Sequence, residues 1–224
     1  MPDRDTGLRG GEAVARGLLD AAERRRADLF VRPADRLLYT AAHVALRRLL
    51  GRRTGTPPGE VRLTRAPCAR CGGPHGRPVL AGPRSGPPLH FSLSHAAGHA
   101  LIGLASVPVG VDIARLPGEA TVEYATRALH PDERGELAAA RVTGTHRALF
   151  ARIWTRKEAY LKGLGTGLCR PPAADYLGDD PLRRPRGWTV TAFAPPGGGR
   201  HTAAVALRGP APAVVAVRRL PPAW

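Results

Sequence analysis

Leu89-His90-Phe91-Ser92-Leu93-Ser94, Ala100-Leu101-Ile102-Gly103-Leu104-Ala105-Ser106 and Val109-Gly110-Val111-Asp112-Ile113 are three short apolar runs parted by Gly, Pro and small polar residues. Runs this short, bounded by turn formers, predict three successive strands in the middle of the chain. Toward the N-terminus, residues 12–29 and 35–50 carry apolar side chains at helical spacing. In the second, Leu37, Leu38, Ala41, Val44, Ala45 and Leu49 form the expected stripe, and Pro33 sits near its start. A loop at 51–59, a short strand at 61–64 and a connection rich in Gly, Pro and Cys lead from there to about residue 88. Toward the C-terminus, residues 121–129 and 132–141 read as helices, with Pro131 at the first position of the second. Residues 145–164 form the longest helix, ended by Gly163 and Gly165, and strands are expected at 188–194, 201–207 and 213–218. This order of helices, strands, helices and strands predicts an α+β fold. It also allows two similar halves meeting near residues 105–110, taken as 1–107 and 108–224.

Composition narrows the function classes. The chain has 224 residues, 43% hydrophobic and 23% charged, which excludes wholesale disorder. Its longest apolar stretches, such as 213–217, fall far short of the ~18–20 residues of a membrane span. Met1-Pro2-Asp3-Arg4-Asp5 lacks the apolar segment of a secretory signal. Three cysteines cannot build a paired disulfide framework. A soluble, cytoplasmic protein with no membrane partner is expected. Basic residues number 34 against 18 acidic, a net charge of +16, which attracts polyanions: nucleic acid, phosphorylated cofactors or acidic proteins. Only Lys157 and Lys162 are lysine, so part of the excess reflects a preference for arginine rather than a function. The two lysines mark their own segment for closer reading.

Trp154, Glu158 and Lys162 stand at i, i+4 and i+8 and share one helix face. They form either a surface Glu–Lys pair, worth ~0.3–0.5 kcal/mol, or a carboxylate for metal or proton beside an ammonium for phosphate. Asp112 ends an apolar strand, where Asp is disfavoured. It is a turn former or a hard oxygen ligand suited to Mg²⁺. Ser94 and His95 are adjacent on an extended chain, so their side chains diverge and do not form a nucleophile–base pair. Gly-x-Ser-x-Gly is absent as well, which argues against a serine hydrolase. Donation to a phosphate suits them better, with an ordinary strand end as the alternative. Cys68-Ala69-Arg70-Cys71-Gly72-Gly73-Pro74-His75 is a C-x₂-C turn with a nearby His, but structural zinc wants four ligands. Cys169 is far away in sequence, so a turn with incidental thiols is the default expectation.

Taken together, Phe91-Ser92-Leu93-Ser94-His95, Val109-Gly110-Val111-Asp112-Ile113 and Trp154-Thr155-Arg156-Lys157-Glu158-Ala159-Tyr160-Leu161-Lys162-Gly163 resemble the 4′-phosphopantetheinyl transferases of the larger, surfactin-synthetase-activating class. Gly165-Thr166-Gly167-Leu168 fits as well, and Gly76-Arg77-Pro78 looks like that family's Gly-Lys-Pro. The basic run Arg24–Arg26 and Asp35-Arg36 match its N-terminal region more loosely. The likeness covers roughly residues 20–170. It implies Mg²⁺-dependent transfer of the phosphopantetheine arm of coenzyme A to a serine of an acyl or peptidyl carrier protein. Adenosine 3′,5′-bisphosphate is the implied by-product.

By motif position, the resemblance implies that Asp112 and Glu158 ligate the metal and that Glu158 helps deprotonate the serine. It implies that Lys162 meets the pyrophosphate, and that Ser94, His95, Arg77 and Arg32 or Arg36 contact coenzyme A phosphates. Many members carry Asp-x-Glu on the strand, whereas Ala114 stands here at the second position, so water or another residue takes that place. The fold implied is a pseudo-twofold pair with the site between its halves, consistent with a monomer. A nucleic-acid-binding protein is the rival suggested by charge. Aromatics are few (5%), no binding motif is present and the arginines are spread along the chain, so no nucleic-acid partner is expected. A coenzyme A-binding module without activity is disfavoured by the retained Asp112, Glu158 and Lys162.

Overall fold

The structure is a computed structural model that describes residues 14–82, 86–197, 199–211 and 215–220. Asp20 interrupts the first expected helix, whose first two residues lie outside the described ones. Its side chain accepts from Glu23 N–H while Glu23 answers to the Asp20 N–H, a reciprocal cap that starts a separate helix, α1 (Ala21–Asp28). Helix α2 (Pro33–Thr54) starts with proline in its first turn and stops at Gly55, which takes φ of 71° and donates to the Gly51 carbonyl. Its buried face matches the expected stripe only in part. Val44 is buried and Leu38, Ala45 and Leu49 are half-buried, but Leu37 and Ala41 are exposed while Tyr39, Ala42, Leu46, Arg47 and Leu50 face inward. The face is rotated because Arg47 is buried with acceptors for four of its five donors: Glu23, Asp20 and the carbonyls of Pro58 and Val61. An apolar count misses a buried arginine paired in this way.

Leu46 and Leu50 pack on Val61 and Phe91, with Leu80, Leu93 and Ile102 closing the cluster. Two small antiparallel sheets supply that surface: β1 (Leu63–Arg65) with β2 (Pro78–Leu80), and β3 (His90–Ala96) with β4 (His99–Ala105). Strand β2 lies within the connection read as loop, because a three-residue strand starting at proline leaves almost no alternation to detect. Ala97 and Gly98, both at positive φ, make the two-residue turn between β3 and β4.

The second sheet-and-helix layer follows: β5 (Val109–Arg115), α3 (Glu119–Thr126), α4 (Pro131–Val142), α5 (His146–Leu164), β6 (Trp188–Phe193) and β7 (His201–Arg208). The strands form an antiparallel sheet in the order β5-β7-β6. The strand expected at 213–218 is not found: residues 215–218 carry no strand pairing, and 213–214 lie outside the described residues. On one side α5 buries Ala159 and Tyr160 against Val190, Ala204 and Ala206 of the sheet. On its other side Phe150 and Ile153 pack with Val122 of α3, Leu137 of α4 and Leu129 of the connection between them. The whole is α+β. Cys169, expected to stand apart, follows α5 on a short 3₁₀ turn (Gly167–Cys169) that folds back against the 68–75 turn, its sulfur 3.7 Å from His75 Nε2.

Candidate active site

Strand β5 lies unusually close to α5. A Cβ on Gly110 would stand 1.9 Å from the Ala159 carbonyl oxygen, and one on Gly163 would stand 3.2 Å from the Gly110 nitrogen. Two glycines thus let strand and helix meet backbone to backbone. Strand β3 approaches β5 from the other side through hydroxyls. Val111 N–H donates to Ser92 Oγ at 3.0 Å, and Ile113 N–H donates to Ser94 Oγ at 3.4 Å. Alternation along β3 turns both serines toward β5.

At this junction Ser94 Oγ donates to Asp112 Oδ1 at 2.7 Å, and Lys162 Nζ donates to the same oxygen at 2.6 Å and to Ser94 Oγ at 3.1 Å. Asp112 is buried and its partner ammonium is half-buried. Three residues from three separate motifs therefore share one hydrogen-bonded group. The ion pair of Lys162 runs across to Asp112, not to Glu158 one turn earlier on its own helix, so the exposed Glu–Lys pair is not what forms. Burial pushes the Glu158 carboxyl above its ordinary value; Lys162 opposes this and the charge of Asp112 adds to it. A carboxyl raised by burial and by a second carboxylate suits a proton acceptor, and also suits a site that gains from a cation.

His95 points to the opposite face of β3 from Ser94. Its ring lies edge-on to Tyr39 at 5.8 Å and 6.5 Å from His43, both on α2. Burial lowers its pKa, helped by His43 and Lys162 and opposed by Asp35. Tyr39 and His43 were not picked out from the sequence. Their spacing of four residues ahead of Arg47 was the available signal, hidden by the apolar stripe assigned to the neighbouring face. Arg32 and Arg36 sit at the start of the same helix, Arg32 exposed at its N-cap and Arg36 half-buried in its first turn. Arg77 stands elsewhere. Its guanidinium donates to the Gly163 carbonyl at 2.8 Å, at the end of α5, and burial beside Arg208 lowers its pKa. Thus Ser94, Asp112 and Lys162 come together with Glu158 in electrostatic reach. His95 faces α2, and Arg77 supports the helix end.

The described residues hold no helix long and apolar enough to cross a membrane. Residues 108–193 match the family model described as the 4′-phosphopantetheinyl transferase superfamily, a span that contains Asp112, Glu158 and Lys162. A protein of Synechocystis sp. provisionally named 4′-phosphopantetheinyl transferase is 32% identical over 154 residues, covering 67% of this chain and 58% of that one. A 4′-phosphopantetheinyl transferase of Nostoc sp. is 29% identical over 153 residues, covering 68% and 62%. That of Bacillus subtilis is 33% identical over 86 residues, covering 38% and 37%. The chain thus spans less than two thirds of the length of these curated relatives. The likeness supports the family that the motifs resemble.

Proposed function

We propose that this chain is a 4′-phosphopantetheinyl transferase of the larger, surfactin-synthetase-activating class. It moves the phosphopantetheine arm of coenzyme A to a serine of an acyl or peptidyl carrier protein. The observation that carries this reading is the single Asp112 oxygen shared by Ser94 and Lys162, with the Glu158 carboxyl beside it. The motifs of the first half, Ser94-His95 and Gly76-Arg77-Pro78, lie outside the matched span 108–193 and favour the larger class. We read residues 1–107 and 108–224 as two halves with the site at their junction. The reading is supported by Ser94 from the first meeting Asp112 and Lys162 from the second.

The donor set fits Mg²⁺. Asp112 and Glu158 offer hard carboxylate oxygens, and the upward push that Asp112 exerts on Glu158 is the kind of repulsion a divalent cation relieves. When bound there, Mg²⁺ would supply charge neutralisation to the pyrophosphate of coenzyme A. Ala114 adds no carboxylate, so these two would be its protein ligands.

In the reaction, the carrier serine oxygen forms a bond to the phosphorus that bears the pantetheine. The bond from that phosphorus to the bridging oxygen breaks, and adenosine 3′,5′-bisphosphate leaves with the electron pair. Lys162 faces that developing charge with its ammonium, the kind of interaction that counts most in phosphoryl transfer. Glu158, raised by burial, takes the serine proton directly or through water. Ser94 holds Asp112 in place with its one hydroxyl proton and would meet a phosphate only by turning that proton away from Asp112. His95, with Arg32 or Arg36 at the start of α2, would meet other phosphates of coenzyme A, as would Arg77, whose guanidinium also steadies the turn that ends α5. The net charge of +16 would steer an acidic carrier protein toward the site. We expect a monomer, since Ser94, Asp112 and Lys162 meet within one chain.

The test is mass spectrometry of an apo carrier protein after incubation with this protein, coenzyme A and Mg²⁺. A gain of about 340 Da, the arm's covalent mass, is expected for the displacement. No gain on any apo carrier, with coenzyme A still bound, would leave a binding module instead.

A further inference from the structure

The turn at 68–75 is built to present sulfur. Gly72 N–H donates to the Cys68 carbonyl at 2.9 Å and Cys68 N–H donates to the Gly73 carbonyl at 2.7 Å. The chain reverses at Gly72 with φ of 73°. The Cys68 sulfur is buried and lies 4.0 Å from the Thr166 carbonyl, in the segment that follows α5. Cys71 Sγ stands 3.1 Å from His75 Nε2, and a Cβ on Gly73 would stand 3.0 Å from the His75 ring. The turn therefore needs glycine there to keep thiol and imidazole together. Onto this group falls Cys169, 94 residues beyond His75, with its sulfur 3.7 Å from the same nitrogen. The four donor atoms of Cys68, Cys71, His75 and Cys169 all lie within 4.8 Å of one another.

We propose that Cys68, Cys71, His75 and Cys169 form a structural zinc site that clips the 68–75 turn to the segment following α5. Zinc bonds of about 2.3 Å to sulfur and 2.0–2.1 Å to nitrogen place tetrahedral ligands about 3.5–3.8 Å apart. The two sulfur–nitrogen separations, 3.1 and 3.7 Å, lie on either side of the ~3.5 Å expected between a sulfur and a nitrogen ligand. Three thiolates and an imidazole are soft donors that select zinc over Mg²⁺, and four protein ligands close the site to water, which marks a structural rather than catalytic centre. A disulfide would use only two of the three sulfurs and leave the imidazole without a role.

The site stands apart from the carboxylates of Asp112 and Glu158 and does not depend on the transfer reading. Its placement still bears on that site. His75 is two residues before Arg77, whose guanidinium holds the Gly163 carbonyl, and Cys169 lies beyond Gly165, against which the Arg77 side chain packs. The clip thus fixes both partners of the contact that ends α5, one turn from Lys162. Because its ligands lie so far apart in sequence, binding also removes a large share of the freedom of the unfolded chain.

The full chain, purified under reducing conditions without chelator, is expected to carry one zinc by plasma mass spectrometry. After chelator treatment, added Co²⁺ should give the intense visible bands of a tetrahedral thiolate site, and these should bleach when zinc is added. Cys169→Ser, at an exposed position, should weaken zinc binding at least about 100-fold, while Cys169→His should restore it. Zinc removal should lower the Tm by about 5 °C or more. Substoichiometric zinc together with Co²⁺ spectra lacking tetrahedral bands would overturn the proposal. So would an intact mass lacking two hydrogens after reducing purification, or a Cys169→Ser protein that binds zinc as tightly as the parent.

Discussion

Lys157 and Lys162 are five residues apart on one helix and live in opposite environments. Lys157 is 2% exposed beside Glu133, itself 0% exposed, with their charged atoms 2.8 Å apart. Its ammonium also donates to the carbonyls of Pro172 and Asp175, each at 2.7 Å, so all three protons are spent. Glu133 is equally occupied, accepting from the backbone N–H groups of His130 and Leu177. Burial lowers the Lys157 pKa, and Glu133 opposes it. The Lys162 side chain keeps 31% of its surface exposed and spends two protons, on Asp112 and Ser94, among the described residues. A saturated buried cation holds parts together, whereas a half-exposed one with a donor to spare can meet a ligand.

The sharpest way to break this contrast is at the carboxylates. Asp112→Ala and Glu158→Ala should each cut carrier-protein modification about 1,000-fold or more, since several kcal/mol of charge stabilisation goes with either group. Circular dichroism should show both proteins folded. Unchanged turnover in either folded variant would remove the proposed metal site.

Next come the lysines themselves. Lys157→Met leaves Glu133 buried without its cation and should cost about 3–5 kcal/mol of stability in urea melts. Adding Glu133→Gln should recover part of that loss. Lys162→Ala should instead cut kcat by about 100-fold or more while costing less stability than Lys157→Met, since Lys162 is itself partly exposed. If the two lysines exchanged these effects, the division drawn between them would be wrong.

Gly110→Ala tests the close approach that makes the site possible. With the Ala159 carbonyl 1.9 Å from the new Cβ, strand and helix must separate. A stability loss of about 1–3 kcal/mol, accompanied by loss of activity, is expected. Full activity in that variant would mean that Asp112 and Lys162 need not meet.

Arg77→Ala should act more mildly, removing a hydrogen bond to the Gly163 carbonyl worth about 1 kcal/mol and raising KM more than it lowers kcat. A kcat defect larger than that of Lys162→Ala would reverse their assigned roles.

The smallest effect is expected at Ala114. Asp112 pairs with Ala204 and Ala114 with Thr202, so the two side chains share a face of β5. Ala114→Glu should stay active and need less Mg²⁺ for half-maximal rate at saturating coenzyme A, as a carboxylate replaces a water ligand. An unchanged Mg²⁺ dependence would show that residue 114 does not reach the metal.

Legibility followed the range of the interactions involved. The strands β3, β4 and β5 and the helix α5 could be read because their apolar periodicity and bounding glycines are local. Asp112, Glu158, Lys162 and Ser94 could be singled out because their residue types sat oddly in those elements or repeated at helical spacing. The burial of Arg47, the pairing of Lys157 with Glu133 and the face that α2 turns inward could not. Each depends on acceptors supplied by other parts of the chain.

By itself, then, the sequence determined most of the strands and helices, since turn residues, caps and apolar spacing act over a few positions. It also singled out the side chains to which the proposed chemistry is assigned. Only the tertiary structure decided who meets whom. It sent Lys162 to Asp112 instead of its helical neighbour Glu158, turned His95 toward α2 and brought Cys169 back to Cys68, Cys71 and His75. The physical reason is that backbone preference is settled within a turn or a strand. The partner of a charge or a thiol is settled by long-range packing, such as the approach that Gly110 and Gly163 permit between β5 and α5.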